Sequence, residues 1–239
     1  MLIRIVCISL LVSVLPIVGR AQTTRLDDSS DWWSILRMEE DINGPDKEVK
    51  SSSKPIKDTN LRIAGIALRE ASFKQVTARF GKAAEVERGD AASGRTQVCY
   101  VSVGEPKIHF IFETGEVESI FYLFAGGKNW NGADQCVKSS LVSADLATHS
   151  GLKVGLERPK VEAILGPPDA VSDNRMLYLR QVQTKTSPSD LVELRKRNPR
   201  MSDQEFHANY DFYTVTVFIE ARLENQKVQY LAISESEVY

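Results

Sequence analysis

The chain has 239 residues, is 42% hydrophobic and 26% charged, and sets 30 Lys plus Arg against 32 Asp plus Glu. That balance excludes a collagen, a polytopic membrane protein and a wholly disordered chain. A net charge of −2 also lacks the basic footprint that phosphate backbones require, so nucleic acid is not an expected partner.

Residues 1–21 place Arg4 ahead of an apolar run from Ile5 to Val18 and end on Gly19-Arg20-Ala21, the pattern of a cleaved secretory signal peptide. As a helix that run would span about 21 Å, short of a bilayer core of roughly 30 Å, so the mature chain is expected to lack a transmembrane span. Gln22 rather than cysteine follows Ala21, which argues against a lipoprotein. Cleavage there removes Arg4 and Arg20 and leaves 28 basic against 32 acidic side chains. The expected location is the periplasm or the exterior. Cys99 and Cys136 are then the only cysteines, and an oxidising compartment favours a disulfide between them.

Residues 22–59 are rich in Asp, Ser, Lys and Pro and read as a flexible tail. Its apolar knot, Asp31-Trp32-Trp33-Ser34-Ile35-Leu36, suits a short helix capped by Ser30 or Asp31, with Trp32 and Trp33 either binding a partner or folding back onto their own domain. Beyond the tail, Ser72-Phe73-Lys74-Gln75-Val76 through Phe80-Gly81 aligns with Glu157-Arg158-Pro159-Lys160-Val161 through Leu165-Gly166. Both stretches have helical spacing of apolar residues and stop at a glycine, the first opening on a Ser72/Gln75 capping box and the second with Pro159 in its first turn.

After each helix the period changes to two, the signature of strands. The first set is Thr96 to Val103, Lys107 to Glu113 and Val117 to Phe124; the second is Met176 to Val182, Tyr210 to Arg222 and Val228 to Ile233. Short connectors make each set an antiparallel meander. The expected fold class is therefore α+β: two tandem repeats, each a short helix followed by a three-stranded antiparallel meander, over residues 60–128 and 140–235. A helical insertion occupies 184–209, with a helix near Asp190 to Arg197 and a second opened by Ser202-Asp203-Gln204-Glu205.

Gly151, Gly155, Val161, Leu165, Gly166 and Pro168, followed by three meandering strands, resemble the small outer-membrane lipoproteins of the SmpA/OmlA type. Two such units in tandem resemble the β-lactamase inhibitor proteins. The first repeat keeps Gly65, Val76, Phe80 and Gly81 but lacks the second glycine and the proline. The resemblance covers about residues 60 to 235, and it implies action by binding proteins rather than by catalysis.

Chemistry-bearing patterns are sparse. His109, His149 and His207 are too far apart for a local metal motif, and no metal or small-molecule cofactor is expected. His109 should occupy the polar face of its strand. Ser51-x-x-Lys54 falls in a serine-rich linker, Gly126-Gly127-Lys128 reads as a turn rather than a phosphate loop, and a bridged Cys99 offers no thiolate. The basic run Arg195-Lys196-Arg197-Asn198-Pro199-Arg200 suits a helix C-terminus, or an electrostatic contact with an acidic partner or anionic lipid.

With one helix per meander, one sheet face is expected to be covered, by Val101, Val103, Ile108, Phe110, Phe112, Phe121 and Leu123 against the helices. The other, carrying Tyr100, His109, Ile111, Ile120, Tyr122 and Phe124, is expected to meet a partner, or else to be covered by the second repeat or the tail. The leading expectation is a non-enzymatic exported module that binds a protein of the cell envelope through Trp32, Trp33, Tyr100, His109, Tyr122 and Phe124. The alternatives are a hydrolase or other enzyme with a carboxylate site between the repeats, using carboxylates such as Glu113, Glu118 and Asp211, and a purely structural scaffold of the envelope.

Overall fold

The computed structural model describes residues 24–25, 52–88, 94–116, 118–126, 136–171 and 173–239. Residues 1–21, expected to form a signal peptide, Trp32, Trp33, Ser51 and the 127–135 connector lie outside the described residues. In chain order the strands are β1 (Thr24–Arg25), β2 (Arg62–Ile63), β3 (Ile66–Ala67), β4 (Val86–Arg88), β5 (Arg95–Ser102), β6 (Ile108–Thr114), β7 (Glu118–Ala125), β8 (Val137–Ser139), β9 (Ala170–Val171), β10 (Arg175–Lys185), β11 (Phe212–Glu224) and β12 (Lys227–Val238). The α-helices are α1 (Phe73–Phe80), α2 (Arg158–Leu165), α3 (Pro188–Arg197) and α4 (Asp203–Tyr210).

The expected α+β class, with two separate helix-plus-meander repeats, is corrected by the strand order. Ten strands make one mostly antiparallel sheet, β1-β9-β10-β11-β12-β7-β6-β5-β4, with β8 added beside β5. The decisive pairing is β12 with β7, seven residue pairs from Tyr230↔Phe124 to Ser236↔Glu118. A three-stranded meander leaves its outer strand with a row of unpaired N–H and C=O groups; joining β7 to β12 satisfies both rows at once. Part of the expected tail is also ordered. Asp58–Leu61 forms a 3-10 turn, and Ser52 makes a parallel bridge to Arg180.

One face of the sheet buries the apolar residues of α1 and α2. On α1, Val76 and Phe80 point inward, and the Phe80 ring lies 4.6 Å from Phe110 and 5.5 Å from Tyr100 between centroids. On α2, Val161 is buried with Ile164 and Leu165 beside it. Full burial of such side chains stabilises the fold by roughly 1.5–3 kcal/mol each.

Ser72 caps α1 by accepting from the Gln75 N–H at 3.3 Å, but the expected reciprocal arm does not form, because the Gln75 side chain accepts from Ser72 Oγ instead. Both helices end on a glycine with positive φ, +110° at Gly81 and +85° at Gly166, a region open to residues without Cβ. Each stop is braced by a tyrosine: the Tyr100 hydroxyl donates to Gly81 O at 2.8 Å and the Tyr178 hydroxyl to Gly166 O at 3.2 Å.

The face assignment also needs correction at β5. Tyr100 pairs with Phe110 and shares its helix-covered side, whereas Val103 is 60% exposed beyond the strand end and Val101 pairs with His109 on the other side. Alternation along β5 runs Val98 and Tyr100 toward the helices, so Cys99 and Val101 face away.

Candidate functional site: the second face and the free end of the sheet

The second face carries a buried strip of charges and aromatic rings that crosses the seam. At one side Arg95 Nη1 contacts Glu113 Oε1 at 3.1 Å and Arg95 Nη2 contacts Glu118 Oε2 at 3.4 Å. The Tyr122 hydroxyl donates to Glu113 Oε1 at 3.3 Å, and Ser234 Oγ donates to Glu118. At the other side Arg175 and Arg222 stand opposite each other in register. Glu220 Oε1 lies between them, accepting from Arg175 Nε at 2.9 Å and Arg222 Nε at 2.6 Å. Tyr122 and Tyr230 join the halves, 6.3 Å between centroids, with the Arg222 guanidinium 5.2 Å above the Tyr230 ring. Burial, reinforced by the neighbouring glutamates, pushes both tyrosine hydroxyls far up, so they stay protonated donors.

The charges of this strip are engaged with one another. Each of its carboxylates is matched to a guanidinium, and Glu113 and Glu220 are almost wholly withdrawn from solvent. Of the carboxylates expected to converge, Glu113 and Glu118 share Arg95, while Asp211 sits at the end of α4 with His207 Nδ1 at 2.7 Å. The three histidines are likewise apart, and among the described residues no cluster of His, Cys, Asp and Glu is arranged to hold a metal ion.

The residues expected to meet a partner are placed differently from the expectation. Tyr100 is buried under α1, where desolvation pushes its hydroxyl up to about 12. His109 is buried, not surface-exposed: its ring stacks on Phe124 at 4.9 Å, and burial first, then the nearby Lys107 charge, holds its pKa below the ordinary value. Tyr122 and Phe124 are 0% and 2% exposed. Continuity of the sheet accounts for part of this, since Tyr230 of β12 packs against both rings from the side. Cys99 and Cys136 form the expected disulfide, with Cα atoms 4.5 Å apart, tying β5 to the residue that precedes β8.

Solvent meets the sheet elsewhere. β10 and β11 run 11 and 13 residues and carry their ladder past the core, so that Gln181↔Thr216↔Ser236, Gln183↔Thr214↔Val238 and Lys185↔Phe212 form cross-strand rows on the second face. Phe212 is 54% and Val238 52% exposed, and Gln181, Gln183 and Lys185 are exposed as well. On the opposite side α3 and α4 cover this end: Phe206 is buried with Arg195 4.9 Å above its ring, and Tyr210 and Tyr213 flank Tyr239 at 5.6 and 5.4 Å.

Along the outer edge of β10, Ser52 donates its N–H to Leu179 O at 3.0 Å and accepts from Gln181 N–H at 3.1 Å. Beyond that point residues 182–185 pair only with β11 among the described residues. The sequence signal for this end was present in the polar alternation Gln181, Gln183, Lys185 and Thr214, Thr216. The last apolar residue of β10 is Val182, so apolar alternation by itself ends the strand there.

Two surface grooves accompany these elements. One, of about 320 Å3, is acidic, with Glu116, Glu118, Glu235 and Glu237 around Arg69. Arg69 pairs with Glu237 and donates to the Tyr213 hydroxyl at 3.2 Å, while burial holds the Glu235 carboxyl above its ordinary pKa against the pull of Arg69. The other lies at the α3–α4 turn.

Comparison with known proteins returns nothing: no family model matches the chain, and no curated protein and no solved structure is significantly similar to it. Among the described residues no helix is long and apolar enough to cross a membrane.

Proposed function

We propose that the chain is an exported, non-enzymatic module that binds a protein of the cell envelope through the free end of its sheet. The observation that carries the reading is the end of the β10–β11–β12 ladder, whose second face presents Gln183, Thr214 and Val238 in one row and Lys185 and Phe212 in the next at the protein surface. Polar side chains around an exposed ring, held on a hydrogen-bonded ladder, cost little backbone ordering entropy on binding, which suits recognition. The open edge of β10 adds backbone groups that an extended partner segment can pair with, as Ser52 already does one residue earlier. Export is supported by the signal-peptide pattern of residues 1–21 and by the Cys99–Cys136 disulfide, a bond that persists in oxidising compartments. The resemblance of the Gly151, Gly155, Val161, Leu165, Gly166 and Pro168 string to SmpA/OmlA-type proteins agrees with this reading.

The test is site-specific photo-crosslinking in envelope extract with the probe at Gln183 or, as control, at Lys138 on β8. A discrete adduct formed from Gln183 alone, and lost on Phe212→Arg, is the expected result. Equal labelling from both positions would count against the free end as the binding surface.

A further inference from the structure

The α3–α4 turn forms an open groove of about 570 Å3 that the sheet surface does not share, lined by Arg197, Arg200, Met201, Glu205 and Asn209 among others. Between Ser187 and Met201 the chain places four cations against two carboxylates, in a protein whose net charge is −2. Two of those cations are spent locally: Arg195 donates to Met201 O at 2.8 Å and pairs with Asp203, and Lys196 pairs with Glu193 at 2.6 Å. Arg197 and Arg200 make no ion pair among the described residues, and both line the groove.

Glu205 is the one acid of the lining. Its carboxylate is engaged by the Ser202 N–H at 3.1 Å and Oγ at 2.7 Å in a complete capping box. Two forked guanidinium groups beside a recess suit planar carboxylates, each able to accept two parallel hydrogen bonds. A local surplus of positive charge in a chain of net charge −2 makes this turn attractive to acidic segments.

We propose that the α3–α4 groove is a docking site for an acidic, carboxylate-rich segment of a protein partner, with Arg197 and Arg200 as its recognition pair. The site is separate from the sheet surface and does not depend on it. A concave recess accommodates projecting side chains of an extended segment, whereas a flat bilayer surface would meet the rim alone.

Fluorescence anisotropy of the mature protein with a labelled oligoglutamate peptide tests the assignment. Binding that weakens steadily as ionic strength rises is expected, with Arg197→Ala/Arg200→Ala weakening it about tenfold or more, Arg197→Lys/Arg200→Lys retaining an intermediate affinity, and Lys138→Ala matching the parent. Circular dichroism melts establish that the variants are folded. Absence of peptide binding at low salt, equal binding by the double alanine variant, or association with anionic phospholipid vesicles in place of the peptide would each overturn the proposal.

Discussion

At Glu220 a single carboxylate oxygen serves two guanidinium groups on neighbouring strands, with the carboxylate 1% and the Arg175 and Arg222 residues 5% and 3% exposed. Two cations in direct register repel each other, and the low-dielectric surroundings magnify that repulsion. Glu220→Gln keeps the shape and removes the charge, so it should destabilise the fold by about 3 kcal/mol, read as a fall in urea midpoint at unchanged slope. Replacing the three residues together by apolar side chains of similar volume should cost far less, because no buried charge is then stranded.

His109 supplies a pH dependence with a definite sign. Its folded pKa is depressed by burial and by Lys107, so the unfolded chain takes up the proton first. Its stabilising contribution is therefore present above about pH 6.5, the ordinary histidine value, and is lost as pH falls through that value toward the lower folded one. Denaturant midpoints measured across this window should decline in the parent, and His109→Phe should remove that component while leaving the carboxylate-driven loss at lower pH.

The helices stop where glycine permits a backbone that other residues resist. At Gly81 and Gly166 a Cβ would meet nothing within 4 Å, so any cost of Gly→Ala comes from the backbone and not from a clash. With φ at +110° and +85° and extended ψ, that cost should be roughly 1–3 kcal/mol at each, whereas Gly104→Ala, also in open space but without the positive φ, should be nearly neutral. Thermal melts of the three variants make the comparison.

The legibility of these elements follows from the same local physics. Helix α2 is found at the expected positions 158–165 because a proline start, a three-residue apolar stripe and a glycine stop are all encoded within ten residues. Strand ends are less legible: β10 continues past its last apolar residue, Val182, to Lys185, and β12 past the expected end at Ile233 to Val238, because cross-strand hydrogen bonding extends an antiparallel ladder without any need for burial.

For the whole molecule, the β7–β12 pairing means that neither set of strands can be peeled from the other without breaking a shared ladder and splitting the apolar layer beneath α1 and α2. Unfolding should be one cooperative transition, with coincident curves from far-ultraviolet dichroism and from tyrosine environment; two separated transitions would show that the halves fold independently. The Cys99–Cys136 bond closes a segment of 37 residues, and its loss in Cys99→Ser/Cys136→Ser should cost about 4 kcal/mol by the chain-entropy relation, measurable as a lowered urea midpoint.

From the sequence alone came the short-range features: the two glycine-stopped helices, the alternating strands after each, the helical insertion with its Ser202 capping box, and the cysteine pair that the structure joins. Each is written in residues a few positions apart, or in a count of two. Tertiary structure alone decided that the strands merge into one sheet, since Tyr230 and Phe124 are brought together across more than a hundred residues by edge hydrogen bonds that no local periodicity announces. The same merger decided the candidate site. It placed Tyr230 against Tyr122 and Phe124, the latter stacked on His109, all three of them buried, and left the accessible surface at the far end of β10 and β11, where the ladder outruns the hydrophobic core.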